Sequence, residues 1–488
     1  MPARSGTDPG VALIEAAFTR KREALGVRAE FPPEVVQAAE AAARSDPASA
    51  PGRTDLTGIP FVTIDPPGSR DLDQALRLER AGGGFRVWYA IADVGFWVDA
   101  DGPLEREAWL RGTTFYAPDC RKSLYPPALS EGAASLLPGA VKPAFVFAFE
   151  LDERAEIVSW TMERALVRSR AQLTYQQALE HVEGGGNRFR GEEWADSLVV
   201  LKEFGERRRE REAERGGVSL PILTQHVQRT AAARLGYELE YEQPSLSEDW
   251  NSQVSLLTGH AAALRMVEAK VGILRVLPPA EEGAIAKFRR AAKALRFPWP
   301  PTVSYAEFIR GIDLANPNAA ALVWQAKRVM RGADYVAFDG QVPADPQHHA
   351  LAMVYAHCTA PLRRLADRYV LELVADLFAG RGPDPRVRAR LPQLAKVMND
   401  ADTRASRLDR AVVDVAEAWM LRGRVGEHFH ATVLGIHDGR VEVQIEDPPV
   451  RAEAERGPHA QWLDLGERVQ VKLTGVEVEE GKTTFELV

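Results

Sequence analysis

Three aspartates bracket a short bend near residue 65. The stretch Phe61-Val62-Thr63-Ile64-Asp65-Pro66-Pro67-Gly68-Ser69-Arg70-Asp71-Leu72-Asp73-Gln74 begins as an apolar, partly β-branched run that ends at Asp65. Pro-Pro-Gly then imposes a turn, because proline fixes φ and glycine tolerates φ above zero. The chain returns through Asp71 and Asp73. Two residues apart in an extended segment, their side chains point the same way, and the turn can aim them at Asp65. Carboxylates gathered in a small volume repel one another unless a cation sits among them. All-oxygen ligation suits Mg²⁺ or Mn²⁺. Two such ions can activate a water and stabilise the leaving oxygen of a phosphodiester. Aspartates are also common in turns and caps, so spacing alone leaves a metal site and a plain turn both open.

The elements around this bend read as an α+β protein. Leu56 to about Val167 is strand-rich: Ile59–Ile64, Phe85–Ile91 and Phe145–Leu151 are β-type runs bounded by Gly or Pro. Helical patterns dominate from about Tyr175 to Leu421, with a β-type interruption near Val218–Glu240. Before the strands come two short helical segments, Val11–Leu25 and Glu34–Arg44, and a Pro/Ser/Gly linker at 45–52. They read as a brace on the main body or as a helix-turn-helix-like module. From Gly426 onward, His428–Gly435, Arg440–Ile445, Glu467–Val478 and Thr483–Val488 alternate apolar and polar residues, as in a small OB-fold β-barrel.

Bulk properties set limits. A chain of 488 residues, 45% hydrophobic and 27% charged, is long enough for two to four domains. The net charge of −8 argues against a generally basic nucleic-acid binder, yet a basic channel can lie inside an acidic body. Two distant cysteines, Cys120 and Cys358, give neither a disulfide framework nor a zinc pair. No segment has the run of roughly 18 apolar residues needed to span a membrane, and the N-terminus lacks a signal-peptide pattern. The expectation is a cytoplasmic protein with no membrane partner.

The bend closely resembles the catalytic signature of the ribonuclease II / ribonuclease R (RNB) exoribonucleases. Further stretches resemble that family in order: Ile91-Ala92-Asp93-Val94; Glu107-Ala108; Arg111-Gly112-Thr113; Tyr116-Ala117-Pro118; Pro127, Leu129-Ser130 and Ser135-Leu136-Leu137-Pro138-Gly139; Ala165 to Tyr175; and Tyr355 to Asp367. The C-terminal strands are similar to its S1-type RNA-binding domain. The resemblance covers residues 55–488. It implies a helical module at 1–52, an RNB catalytic domain at 53–424 (a β-sheet core with surrounding helices) and an S1-type OB-fold at 425–488.

The resemblance also implies roles. The activity is hydrolytic 3′→5′ degradation of single-stranded RNA to nucleoside 5′-monophosphates and a short end product, dependent on Mg²⁺ with Mn²⁺ as the alternative. Asp65, Asp71, Asp73 and Gln74 are the expected metal set. Asp65, Asp71 and Asp73 with Arg363 are the catalytic set. Tyr116, Arg363 and Arg364 are the RNA contacts: Tyr116 stacks on the 3′-terminal base, and Arg363 donates a planar fork to the scissile phosphate. Locally, Arg363-Arg364 also reads as a helix start, with Thr359 and Pro361 as N-cap and first-turn residues. Asp93 and Asp367 are expected to be structural.

Departures from the family pattern matter. Gln74 stands where a fourth aspartate is usual, which motivates an alternative: an RNB-fold RNA-binding or regulatory protein with weakened catalysis. The usual acidic helix pair is replaced within Ser252–Gly259. The family's N-terminal cold-shock domains have no counterpart here, so better tolerance of structured RNA is expected. The second stacking aromatic has no clear candidate between Val218 and Arg234. Lys202–Arg215 mixes both signs and reads as a solvated helix. Lys287–Arg296 and Lys327–Arg331 are more purely basic and could line a backbone channel. Phe429, His430 and His437 are weaker candidates for base contacts in the barrel.

Overall fold

A computed structural model describes residues 9–49, 51–218, 224–229, 236–242, 245–316, 318–437, 439–455 and 463–488. Helices α1 (Pro9–Ala24) and α2 (Pro33–Ala42) come first, and α2 opens on the Pro32-Pro33 pair. They do not share a core. Ile14 and Phe18 of α1 are buried in a cluster with the C-terminal barrel, whereas Val35 and Ala39 of α2 are buried in the central core.

The central sheet uses β1 (Thr54–Asp55), β2 (Phe61–Asp65), β3 (Gln74–Ala81) and β4 (Gly84–Ala92), followed by α3 (Pro103–Arg111). A small hairpin, β5 (Phe115–Tyr116) and β6 (Arg121–Lys122), precedes the long strands β7 (Val141–Leu151) and β8 (Ile157–Thr174). The order is β1-β8-β2-β3-β4-β7, with β7 also paired to β8. Eighteen residues let β8 do both: its first part runs antiparallel to β7, and its last part runs parallel to β2. The sheet therefore closes on itself around Phe61, Leu76, Leu78, Val87, Phe145 and Phe147, all fully buried. Period-two alternation of apolar residues along these strands drives that closure.

Helices α4 (Tyr175–Glu183) and α5 (Asp196–Glu214) follow. The mixed charges of α5 pair along its surface, as in Arg207–Glu210 at 3.1 Å. The expected β interruption is a hairpin of β9 (Thr224–Arg229) and β10 (Tyr237–Glu242). Next come α6 (Leu246–Ala269) and β11 (Val271–Val276). A helical insert of α7 (Glu282–Ala294), α8 (Tyr305–Arg310) and α9 (Ala319–Lys327) has its own core around Phe288, Ile309 and Leu322. Strands β12 (Asp334–Asp339), β13 (Gln347–His348) and β14 (Met353–Val354) then lead into α10 (Leu365–Phe378) and the 37-residue α11 (Pro385–Leu421). The end of α11 buries Val415 and Trp419 against the barrel.

The barrel is closed, in the order β15 (His428–His437), β16 (Arg440–Ile445), β17 (Arg451–Glu455), β19 (Lys482–Leu487), β18 (Arg468–Glu477). This five-stranded OB-like arrangement is the expected one. Strand β17, Arg-Ala-Glu-Ala-Glu, escaped the sequence reading because its inward residues are only alanines and it has no β-branched residue. Phe429 is 4% exposed and packs edge-on against Phe485 in the barrel interior, so it is a core residue and not a base contact; His430 and His437 are exposed. No helix among the described residues is long and apolar enough to cross a membrane.

Candidate active site

The site is built where β2 stops. Strand pairing carries Asp65 to the end of the parallel β2–β8 ladder, opposite Thr174. Gly68 takes a φ of +80° in the Pro-Pro-Gly turn, a region that L side chains avoid. The returning segment is pinned: Ser135 Oγ donates to the Arg70 carbonyl at 2.6 Å and accepts from Leu72 N–H at 2.9 Å. Gln172 holds the Ser69 carbonyl at 2.7 Å. Asp73 is thereby delivered to the start of β3, 4% exposed.

The opposite wall is the segment before α10. Helix α6 lets it approach closely. A Cβ on Gly259 would stand 2.3 Å from the Tyr355 ring and 2.5 Å from the Ala356 carbonyl, so only glycine fits. Leu362 N–H then donates to Asp73 Oδ1 at 2.7 Å, and Arg363 Nε lies 3.7 Å from Asp73 Oδ2. The Arg363 carbonyl accepts from Thr113 Oγ1 and from Thr114 N–H, both at 2.9 Å, which fixes its backbone while the side chain stays 44% exposed.

The acids are poorly compensated. Asp65 Oδ2 is buried with no hydrogen-bond partner. Burial lifts the Asp65 carboxyl to about 6, with the Asp71 charge adding to the rise and Arg363 opposing it. Burial lifts Asp73 to about 8 against the pull of Arg363 and the Leu362 amide. Hard oxygen donors, an orphaned carboxylate oxygen and two carboxyls that resist ionisation are the chemistry a divalent cation satisfies.

Three expectations need correction. First, Asp65, Asp71 and Asp73 do not close into a ready cluster: among the described residues no group of three His, Cys, Asp or Glu side chains is placed to hold a metal ion. The reason is Arg121, whose Nη1 holds Asp71 Oδ1 at 2.5 Å while its Nη2 binds Glu131. Second, Gln74 is tied to the opposite wall, its Nε2 donating to the Thr359 carbonyl, which leaves only its Oε1 to act as a ligand. Third, the Arg364 guanidinium is committed to the protein. It is partly buried in a bidentate pair with Asp367, at 2.9 and 2.8 Å, and Asp367 also accepts from Ala360 N–H at 2.7 Å. Helix α10 accordingly begins at Leu365 with Arg364 as its N-cap residue, so Thr359 and Pro361 lie outside it.

Asp93 is likewise structural, fully buried between Arg53 at 2.6 Å and Arg164 at 3.1 Å. Tyr116 is 45% exposed at the rim. Desolvation of its hydroxyl end, with the charges of Asp71 and Asp73 adding and Arg363 opposing, pushes the phenol up to about 12. Sequence reasoning missed Arg121 and Glu131; nothing in the short hairpin that carries Arg121, or in the helical turn Leu129–Ala133 that carries Glu131, signals that Arg121 bridges Glu131 to Asp71. Part of the interval searched for a second stacking aromatic, 219–223 and 230–235, lies outside the described residues.

Comparison with known proteins agrees with this fold. Residues 53–380 match the RNB domain, and residues 427–488 match the RNase II-type exonuclease C-terminal S1 domain. Ribonuclease R of Escherichia coli K12 is 28% identical over 480 residues, covering 90% of this chain and 57% of the relative. The exosome complex exonuclease dis3 of Schizosaccharomyces pombe is 24% identical over 386 residues, 77% of this chain and 40% of that protein. The chain thus spans a little over half the length of the ribonuclease R it matches. Among solved structures, Mycoplasma genitalium RNase R in complex with ribose-methylated single-stranded RNA superposes with a TM-score of 0.86 at 18% identity, covering 99% of this chain and 79% of that one. Yeast Ssd1, described as a pseudonuclease, gives 0.68 at 17% identity, with coverage of 88% and 54%.

Proposed function

The chain belongs to the RNB family, and from that premise we propose that it is a metal-dependent, hydrolytic 3′→5′ exoribonuclease. Its substrate is single-stranded RNA and its products are nucleoside 5′-monophosphates with a short residual oligonucleotide. One observation carries the reading: Asp73 is buried, Asp65 keeps an enclosed carboxylate oxygen without a hydrogen-bond partner, and the half-exposed guanidinium of Arg363 lies 3.7 Å from Asp73 with no other ion pair among the described residues. The ribonuclease R relatives support it, as does the neighbour solved with single-stranded RNA. Two free cysteines are in keeping with a cytoplasmic site of action.

Each residue has a distinct task. Asp65 and Asp73, with Asp71 beside them in the grip of Arg121, would hold Mg²⁺ or Mn²⁺, which supplies Lewis-acid charge and a more acidic bound water when present. The Leu362 amide fixes the Asp73 carboxylate. Arg363 reaches the non-bridging oxygens, where negative charge grows in the transition state. Tyr116 offers a ring face to the terminal base, a contact tolerant of sequence.

A second reading, a fold-retaining RNA binder with weak catalysis, draws on neutral Gln74 and on the likeness to Ssd1. Retention of Asp65, Asp71, Asp73 and Arg363 together favours the enzyme. Incubating 5′-labelled oligo(A) with Mg²⁺ or Mn²⁺ separates the two. Stepwise shortening with mononucleotide release, lost in Asp73→Asn, supports hydrolysis. Binding without turnover in either metal supports the second reading.

A further inference from the structure

We propose that Arg121 is a built-in cation of the acidic site, standing where a second divalent ion would otherwise meet Asp71, so that the site takes up a single divalent ion. The inference rests on the metal-dependent reading above and concerns how many ions that site accepts.

The placement of Arg121 is held from several sides. On the β5–β6 hairpin it lies directly across from Tyr116. Opposite residues of an antiparallel pair project from the same face, so the strand pair that presents the base-stacking ring also presents the guanidinium. The hairpin turn is closed by reciprocal bonds between Ala117 and Cys120, at 2.9 and 3.2 Å. Its tip is tied to α1 through Asp119, which Arg22 grips at 2.6 and 2.8 Å in a nearly buried pair. Its base is tied to the catalytic wall, since Thr114 N–H donates to the Arg363 carbonyl and Thr114 Oγ1 accepts from Leu124 N–H at 3.0 Å.

Charge agrees with the placement. With the acids ionised around a bound metal, Asp65, Asp71, Asp73 and Glu131 face the guanidiniums of Arg121 and Arg363, so one divalent ion brings the group to neutrality and a second overcharges it. Arg70, 3.8 Å from Glu131, is mostly in solvent and is screened. Gln74 adds no charge and has its amide turned to the Thr359 carbonyl. Unlike an exposed ion pair, which holds its partners weakly, Arg121 is clamped between two part-buried carboxylates.

The test counts ions. The full chain is titrated with Mn²⁺, free Mn²⁺ being read by electron paramagnetic resonance, and sites absent in Asp65→Asn are assigned to the acid group. The wild type is expected to bind one such ion. Arg121→Gln and Arg121→Met are expected to bind two, and Arg121→Lys, which keeps the charge, one. Two neutral replacements, each checked by circular dichroism, guard against a folding failure. Two ions in the wild type, or one in both neutral variants, overturns the proposal and leaves metal-dependent hydrolysis standing. No ion in the wild type overturns the metal-dependent reading itself.

Discussion

The amide of Leu362 donates to Asp73 Oδ1 at 2.7 Å, a single hydrogen bond that joins segments 289 residues apart at the floor of the site. An asparagine at position 73 keeps an acceptor for that amide and removes the negative charge. Asp73→Asn should therefore keep the fold, seen as an unchanged far-ultraviolet spectrum and a thermal midpoint no lower than wild type in chelator. Turnover should fall by at least about 10²–10³-fold, the scale of losing one electrostatic stabiliser of a transition state. Single-turnover release of mononucleotide measures it, and near-wild-type release would remove Asp73 from the chemistry.

Arg363 makes one long contact to the buried Asp73, whose carboxylate keeps the Leu362 amide when the arginine is removed. Arg363→Ala should lower kcat by about 10²–10³-fold with little change in stability. Arg363→Lys keeps the charge but not the planar fork, and should recover only part of the rate. The informative ratio is kcat against RNA affinity. If affinity alone falls, Arg363 positions substrate and does not act on the transition state.

Tyr116 sits 45% exposed at the rim, with little packing to lose. Tyr116→Ala should weaken binding of a short oligonucleotide by about 1–3 kcal/mol, and Tyr116→Phe should not, because the ring face carries the stacking. Fluorescence anisotropy with Asp73→Asn as the silent background reads both. Equal losses in the two variants would assign the contact to the hydroxyl.

Stability should depend on pH through His357. Burial, then the positive charges of Arg364, Arg275, Arg363 and His348, hold its imidazole well below the usual histidine range, while the Tyr335 hydroxyl meets its Nδ1 at 2.7 Å. His348 is pushed down to about 4 by burial and Arg275. Both are neutral when folded near neutrality, whereas the unfolded chain takes up their protons as pH falls through about 6.5. The unfolded state then binds more protons, so this contribution is fully present above that pH and is lost below it. His357→Asn should flatten the fall in thermal midpoint between about pH 6.5 and 4 relative to wild type. Parallel profiles would show that His357 does not report on folding. The difference between the chains is the observable, because Asp65 and Asp73, raised by burial, act with the opposite sign.

Local chemistry was readable where a residue's conformational limits dictated its place. Pro66, Pro67 and Gly68 announced the bend, and alternation in β7 and β15 announced a sheet and a barrel. Contacts between distant segments were not. Nothing near Arg364 says that Asp367 will absorb its charge, and nothing near Asp71 says that a hairpin fifty residues on will bring Arg121 to it. A doublet such as Arg363-Arg364 shows the limit well. One arginine faces the site and its neighbour is paired with Asp367, and only the turn before α10 decides which.

The helical insert offers the broadest test of RNA binding. Arg289, Lys293 and Arg296 surround a hollow of about 580 Å³ with Phe297, Pro298 and Trp299. Both faces of Trp299 are taken, by Phe308 at 4.4 Å and by the Arg289 guanidinium at 3.9 Å, so the hollow offers charge and not a stacking platform. The insert is fixed to the barrel: Gln325 donates to the Leu434 carbonyl, and Arg451 lies 4.1 Å over Trp324. Cations placed there would meet the phosphate backbone of an RNA that crosses the insert. Each phosphate neutralised on a single strand adds about 0.7 to the slope of log affinity against log salt. Replacing all three by glutamine in the Asp73→Asn background should lower that slope by about 2 for a long oligonucleotide and act alike on different sequences. A slope that does not move would place the RNA path elsewhere and leave these three cations as an ordinary solvated face.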